Sequence, residues 1–346
     1  MPFNPIGAAF YAQRINVGIN LELTLTGPQT APLSRIWARR IGAPAVVQVP
    51  LDAAPRAFWK GLGLGILCAL IWGVQAVVSR RSVLDGLSTA DVTILRFIVA
   101  SAVLLPVALG LRPVLVGELG WRRALVLTLL AGAPYTLILV GGVAFAPALH
   151  NAVITPGLIP VMAVLLGFLV LGQRPGPMKV LGIALILAGI PVFSWDALIG
   201  TPAREGVWRG DLLFVLSSVM WAYFGLLAGR WSVRAVAATA SIAILSLLGT
   251  PLWAMLVPTR LWNASLSAIL LQAIYQGLLV GVLATFLYMR VVMLLGSVRA
   301  ALFLPLVPIV TALTGAILLG ENPSMLELAG MLLVVAGMVL ALASRR

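Results

Sequence analysis

An almost wholly apolar passage is written twice in this chain. KGLGLGILCALIWG, from Lys60, returns 149 positions later as RGDLLFVLSSVMWA, so Lys60 meets Arg209, Gly61 meets Gly210 and Trp72 meets Trp221. LGQRPGPMKVLGIALILAG, from Leu171, returns 148 positions later as LGENPSMLELAGMLLVVAG; Pro160 then meets Pro308, Gly172 meets Gly320, Gly182 meets Gly330 and Gly189 meets Gly337. A repeat in residues that shun water restricts the fold to two like half-bundles packed on each other, the plan of many secondary transporters.

Lipid has to be the solvent for most of this surface. Hydrophobic residues make up 61% of the 346 and charged residues 10%, against roughly 25% charged in soluble domains. The net charge of +13 comes from basic residues scattered singly between apolar runs, the pattern of membrane topology rather than of a nucleic-acid surface. One cysteine, Cys68, excludes an internal disulfide.

A bilayer core of about 30 Å asks for roughly 20 apolar residues in a helix. Ten segments qualify or nearly so: 61–78, 92–109, 124–143, 149–171, 180–193, 211–227, 235–256, 268–288, 300–319 and 326–343. The expected fold is an all-α integral membrane protein with ten transmembrane helices. An odd count of five per copy inserts the second copy upside down, giving two inverted five-helix repeats, at 59–196 and 206–344. With the N-terminus in the cytoplasm, 17 Lys and Arg fall on the inner side and 5 on the outer, Arg96 alone lying inside a segment. Both termini are therefore expected inside. Residues 1–58 lack the apolar core of a signal peptide. They read as a disordered cytoplasmic leader, or as a coding start placed too early.

Pro156 and Pro160 in the fourth segment, and Pro305 and Pro308 in the ninth, are candidate hinges, because proline frees a carbonyl and kinks or opens a helix. Matching broken helices in both halves point to a transport site. Trp72 and Trp221 stand at equivalent places past mid-segment, where an interfacial belt explains them less well. They pack in a core or line a cavity that stacks on flat or cationic solutes. Gln75 shares a face with Trp72, whereas Tyr223 faces away from Trp221. Tyr135, Asn151, Thr155, Gln276 and Tyr288 are further candidates for solute contact, since a polar tip in hydrocarbon must face protein or water. Arg96 either snorkels to the outer interface from five residues past Asp91 or faces the cavity as an anion-binding or gating residue.

No Asp, Glu or His lies mid-segment; Asp91, Asp196, Asp211, Glu321, Glu327 and His150 all fall near segment ends. The sequence thus offers no evident carrier for a coupling proton. Neither nucleophile–base pair, metal cluster, phosphate loop nor dinucleotide fingerprint is present, so neither enzyme activity nor a cofactor nor a metal is expected.

Trp72-Gly73, Leu95-Arg96-Phe97, Pro160 with Leu171-Gly172-Gln173, Gly182 with Gly189, and the second set Pro308, Leu319-Gly320-Glu321, Gly330 and Gly337 together resemble the EamA branch of the drug/metabolite transporter superfamily. The resemblance covers about 59–343. It implies ten helices, cytoplasmic termini, a central cavity, and export or exchange of amino acids, other metabolites or drugs at a bacterial inner membrane. The family pattern has Gly-Glu after the fourth and ninth helices, and the first copy departs from it at Gln173. Expected partners are a small solute and membrane lipid, with a homodimer compatible and nucleic acid excluded. A non-transporting sensor or assembly protein on the same scaffold is the alternative.

Overall fold

A computed structural model describes residues 55–110, 119–172, 174–199, 205–231, 233, 235–295 and 297–343. Residues 1–54 of the expected leader and Gln173 lie outside them, while the leader's last four residues, 55–58, belong to the first helix. Every element among the described residues is helical or a turn.

Apolar runs with no partner strand can satisfy their backbone in lipid only as helices, and ten carry the fold. They are α1 Pro55–Leu84, α2 Thr89–Gly110, α3 Trp121–Phe145, α4 Ala148–Leu171, α5 Pro177–Phe193, α6 Val207–Arg230, α7 Ala235–Leu248, α8 Leu266–Val292, α9 Arg299–Leu319 and α10 Met325–Ala343. Eight are long and apolar enough to cross a bilayer; α5 and α7 are apolar but shorter. Exposed tryptophans mark helix ends, among them Trp59, Trp121, Trp208 and Trp262, as an interfacial belt requires.

Neighbours exchange when the two copies are exchanged. Helix α1 packs on α8 and α9, and its equivalent α6 packs on α3 and α4. Likewise α2 packs on α8 and α7 on α3, while the equivalent pairs α2–α7, α4–α9 and α5–α10 pack on each other. The duplicated glycines explain the α5–α10 pair. A Cβ on Gly182 would sit 2.5 Å from the Ala341 nitrogen and 2.7 Å from the Gly337 carbonyl oxygen, so only glycine lets the backbones cross this closely. The duplicated Leu-Gly has another cause: Gly172 and Gly320 end α4 and α9 with φ of +65° and +68°, the left-handed cap that glycine adopts without penalty.

Several boundaries differ from expectation. The seventh segment breaks at Gly249, ahead of Pro251, into α7 and a short helix Thr250–Leu256. Helix α9 opens at 302–305, where i→i+3 bonds such as Leu304 N–H to Ala301 (3.0 Å) and Val307 N–H to Leu304 (3.0 Å) replace the α pattern. Pro305 then starts a fresh helix, where its missing N–H costs nothing. Pro156 and Pro160, by contrast, sit inside an α4 that stays helical past both. Matched proline pairs therefore do not give matched breaks. Residues 273–284 of α8 form wide π turns, a feature frequent at functional sites.

Candidate functional site

Two aromatic pairs, one per copy exchange, lie in the interior. Trp72 on α1 meets Tyr288 on α8 with ring centroids 5.2 Å apart, and Trp221 on α6 meets Tyr135 on α3 at 5.2 Å. Phe224 extends the second pair at 5.3 Å from Trp221. Each tryptophan joins two apolar clusters: Trp72 packs on those built around Ala69–Ala76–Val307 and Cys68–Val280, Trp221 on those around Val140–Phe214 and Leu127–Ala238. Both stay half-buried, as does Gln75, whereas Tyr223 is exposed.

Arg96 sits beside the second pair, close enough to Tyr135 for an electrostatic interaction. Its Nε and Nη1 are buried, and no hydrogen-bond partner meets them among the described residues. The guanidinium thus has these two nitrogens inside the protein, on a residue that is half-buried as a whole. A buried cation without a counter-charge is costly, and its five fixed donors match a carboxylate or similar anion.

Other expected contacts are occupied in part by the fold itself, although Gln272 Oε1 and Gln276 Oε1 are buried with no partner among the described residues. Gln276 is fully buried and donates from Nε2 to Ser79 Oγ at 2.7 Å; one turn away Gln272 donates to the Val78 carbonyl at 2.9 Å. These two clasp α8 to α1. Thr155 donates to Asn151 Oδ1 at 3.0 Å and lies 3.3 Å from Ser217 Oγ, while Ser218 donates to the Thr155 carbonyl. Asn151 and Thr155 therefore form a polar seam between α4 and α6.

The seven described carboxylates all fall at or near three connections, α1–α2, α5–α6 and α9–α10. Hydrogen bonds tie the ends they mark to each other and to the α3–α4 and α7–α8 connections, so they form one acidic end. Arg80, near the end of α1, pairs with Glu321 at 3.1 Å and donates to the Val143 carbonyl at 2.6 Å; Glu321 also accepts from the Ala148 N–H, 2.9 Å away, at the start of α4. Asp91 accepts from the Arg260 N–H at 3.0 Å. Deeper lies a buried group of three: His150 Nδ1 is 2.7 Å from Asp211 Oδ1 and His150 Nε2 is 3.2 Å from Glu327 Oε1.

A family model described as "EamA-like transporter family" matches residues 59–195 and again 208–343. The chain belongs to that family. Among curated relatives, "Uncharacterized protein PA1977" of Pseudomonas aeruginosa is 29% identical over 291 residues, covering 83% of this chain and 96% of its own length. "Uncharacterized transporter YyaM" of Bacillus subtilis is 23% identical over 202 residues, 55% of this chain and 63% of that one. A solved chain described only as the crystal structure of a protein shares the fold, with a TM-score of 0.57 at 20% identity over 82% of this chain and 96% of that chain. The molecule is accordingly a multi-pass membrane protein of transporter type.

For this EamA chain, reasoning from the sequence missed the group of three and the Arg80–Glu321 latch. It found the residues, but only as charges near segment ends. Burial sets this group apart from the other charges near segment ends: His150 is 1% exposed and Glu327 2%. One signal was legible. Ser324 and Glu327 form the S-x-x-E capping box of α10, with Ser324 N–H to Glu327 Oε2 at 2.6 Å and Glu327 N–H to Ser324 Oγ at 3.2 Å. That box aims the Glu327 side chain back at the helix start.

Proposed function

We propose that this protein exports or exchanges small organic solutes that join an anionic group to an apolar body, such as zwitterionic amino acids, metabolites or drug-like acids. It does so across a bacterial inner membrane by alternating access. In this reading all ten helices cross, α5 and α7 included, the two copies are inverted, both termini lie in the cytoplasm and the acidic end faces outward. The exchange of neighbours between copies supports a bundle of α3, α4 and α6 rocking against α1, α8 and α9, with the turn at 302–305 as hinge. Trp72, Gln75, Tyr135, Trp221 and Tyr288 form apolar and polar walls.

The observation that carries the anionic requirement is Arg96, whose Nε and Nη1 are buried and unmatched among the described residues. A solute carboxylate would supply the missing acceptors, and an aromatic wall would take the solute's apolar part.

The test uses the full chain in liposomes loaded with radiolabelled phenylalanine or leucine, beside the decarboxylated amines phenethylamine and isopentylamine. The acids should move and the amines should not. Arg96→Gln should lower flux of the acids about tenfold or more, the loss expected for a charge-assisted hydrogen bond. Equal flux of acid and amine, or an unaffected Arg96→Gln protein, would overturn the reading. Absence of any flux would favour the sensor alternative.

A further inference from the structure

The three groups His150, Asp211 and Glu327 come from three helices, α4, α6 and α10, and meet with His150 and Glu327 almost fully buried and the Asp211 side chain 13% exposed. A neutral imidazole has one N–H and one bare lone pair. Here both ring nitrogens face carboxylate oxygens, at 2.7 and 3.2 Å. With a neutral ring and two ionised carboxylates, one contact would press a lone pair against an anion. Both contacts are attractive only when the group holds one further proton. Helix capping does not account for this: the box of α10 uses Glu327 Oε2, whereas His150 meets Oε1.

Several charges near His150 are already engaged, and at the start of α6 Arg209 lies over the Trp208 ring, with Glu205 just before the helix. On α1, Arg80 is held by Glu321, which sits between α9 and α10 and caps α4 at Ala148. Asp196, just beyond α5, accepts from Ser324. Helix α5 offers the Phe193 ring, 4.7 Å from the imidazole, and its one charge, Lys179, lies in its first turn at the opposite end. The group also has no twin. In the first copy Leu62 stands at the place of Asp211 and Lys179 at that of Glu327, so the opposite end of the molecule lacks the carboxylates.

We infer that His150, Asp211 and Glu327 are a proton-binding site whose occupancy holds the acidic end of the helices shut. The proton is taken from water at that end as α4, α6 and α10 close, and it returns there when they part. No other reactant is needed. That the end opens as part of a transport cycle rests on the function proposed above; that a bound proton closes it does not.

His150 is the single histidine of the chain, so selective ¹⁵N-histidine labelling of the full protein in nanodiscs reads this site alone. At pH 7.5 both ring nitrogens should carry protons in hydrogen bonds, and at strongly alkaline pH one should become bare. A second measurement reads the gate. Spin labels at Trp208→Cys and Met325→Cys, both exposed first-turn positions, in a Cys68→Ala background, should give one short distance at pH 6 and a longer, broader distribution at pH 9. Asp211→Asn should hold the short distance at both pH values, because an amide can donate to the bare ring nitrogen. Glu327→Gln, which keeps an oxygen for the α10 cap, should do the same. A bare, unbonded ring nitrogen at pH 7.5, or a wild-type distance that ignores pH, overturns the inference. So does a pH response that survives both amide variants. Neither measurement needs a solute, so a failed flux assay leaves this result standing and its failure leaves the flux result standing.

Discussion

Gln276 shows how a polar residue in a membrane helix is read and misread. Its side chain was expected at the solute; its Nε2 is instead engaged by Ser79, beside Gln272 on Val78, while its Oε1 is buried and meets no partner among the described residues. The sequence announces that such a group needs a partner but not which one, because the partner lies 197 positions away on another helix. Asn151 and Thr155 went the same way. Trp72, Tyr135, Trp221 and Tyr288 are brought together in two ring pairs, one per copy exchange. Gln276→Leu should leave Ser79 unmatched and cost about 1–3 kcal/mol. Thermal unfolding of the solubilised protein should show a lower midpoint, with the relative flux of phenylalanine and leucine in liposomes unchanged. A shifted preference with an unchanged midpoint would return Gln276 to the solute.

At the level of helices, hydropathy located most elements and repetition explained their pairing. The four duplicated glycines, at 182, 189, 330 and 337, are all in the α5–α10 crossing, where a Cβ on Gly189 would lie 2.9 Å from the Val334 nitrogen and one on Gly337 2.6 Å from the Gly182 carbonyl oxygen. Their spacing in the sequence was the visible trace of two backbones in contact. The prolines were less informative. Whether a proline breaks a helix depends on the turns before it, and α9 supplies a run of i→i+3 bonds there while α4 continues. The π turns of α8 left no mark in composition at all. Gly182→Leu has to push against main chain rather than a flexible side chain, so it should exceed the usual overpacking cost of about 1–3 kcal/mol. The expected outcome is loss of the monodisperse peak in size-exclusion chromatography. Gly63→Leu, at a position with nothing within 4 Å of an added Cβ, should elute like the parent.

Across the whole molecule the charges sort by end. The described carboxylates gather where α1, α5 and α9 finish and α2, α6 and α10 begin, while Arg122, Arg123, Lys179, Arg230 and Arg290 sit at or near the other ends of their helices. This gradient was legible as a 17-to-5 split of basic residues, but the sequence could not reveal that the acids also hold one another. Burial of His150 needs three helix ends brought together, a property of the closed bundle and not of any segment. The same sorting fixes how the chain should sit. Anchoring basic residues in the cytoplasm is the determinant of orientation, so in the reading proposed above the basic end is expected to face in and the acidic end out. Alkaline phosphatase, active only outside the cytoplasm, should be inactive when fused after Arg346 and active when fused after Trp262, between α7 and α8; a fluorescent protein should give the reverse. Activity at the C-terminal fusion would place the acidic end in the cytoplasm, and the proton-binding group would then answer to internal rather than external pH.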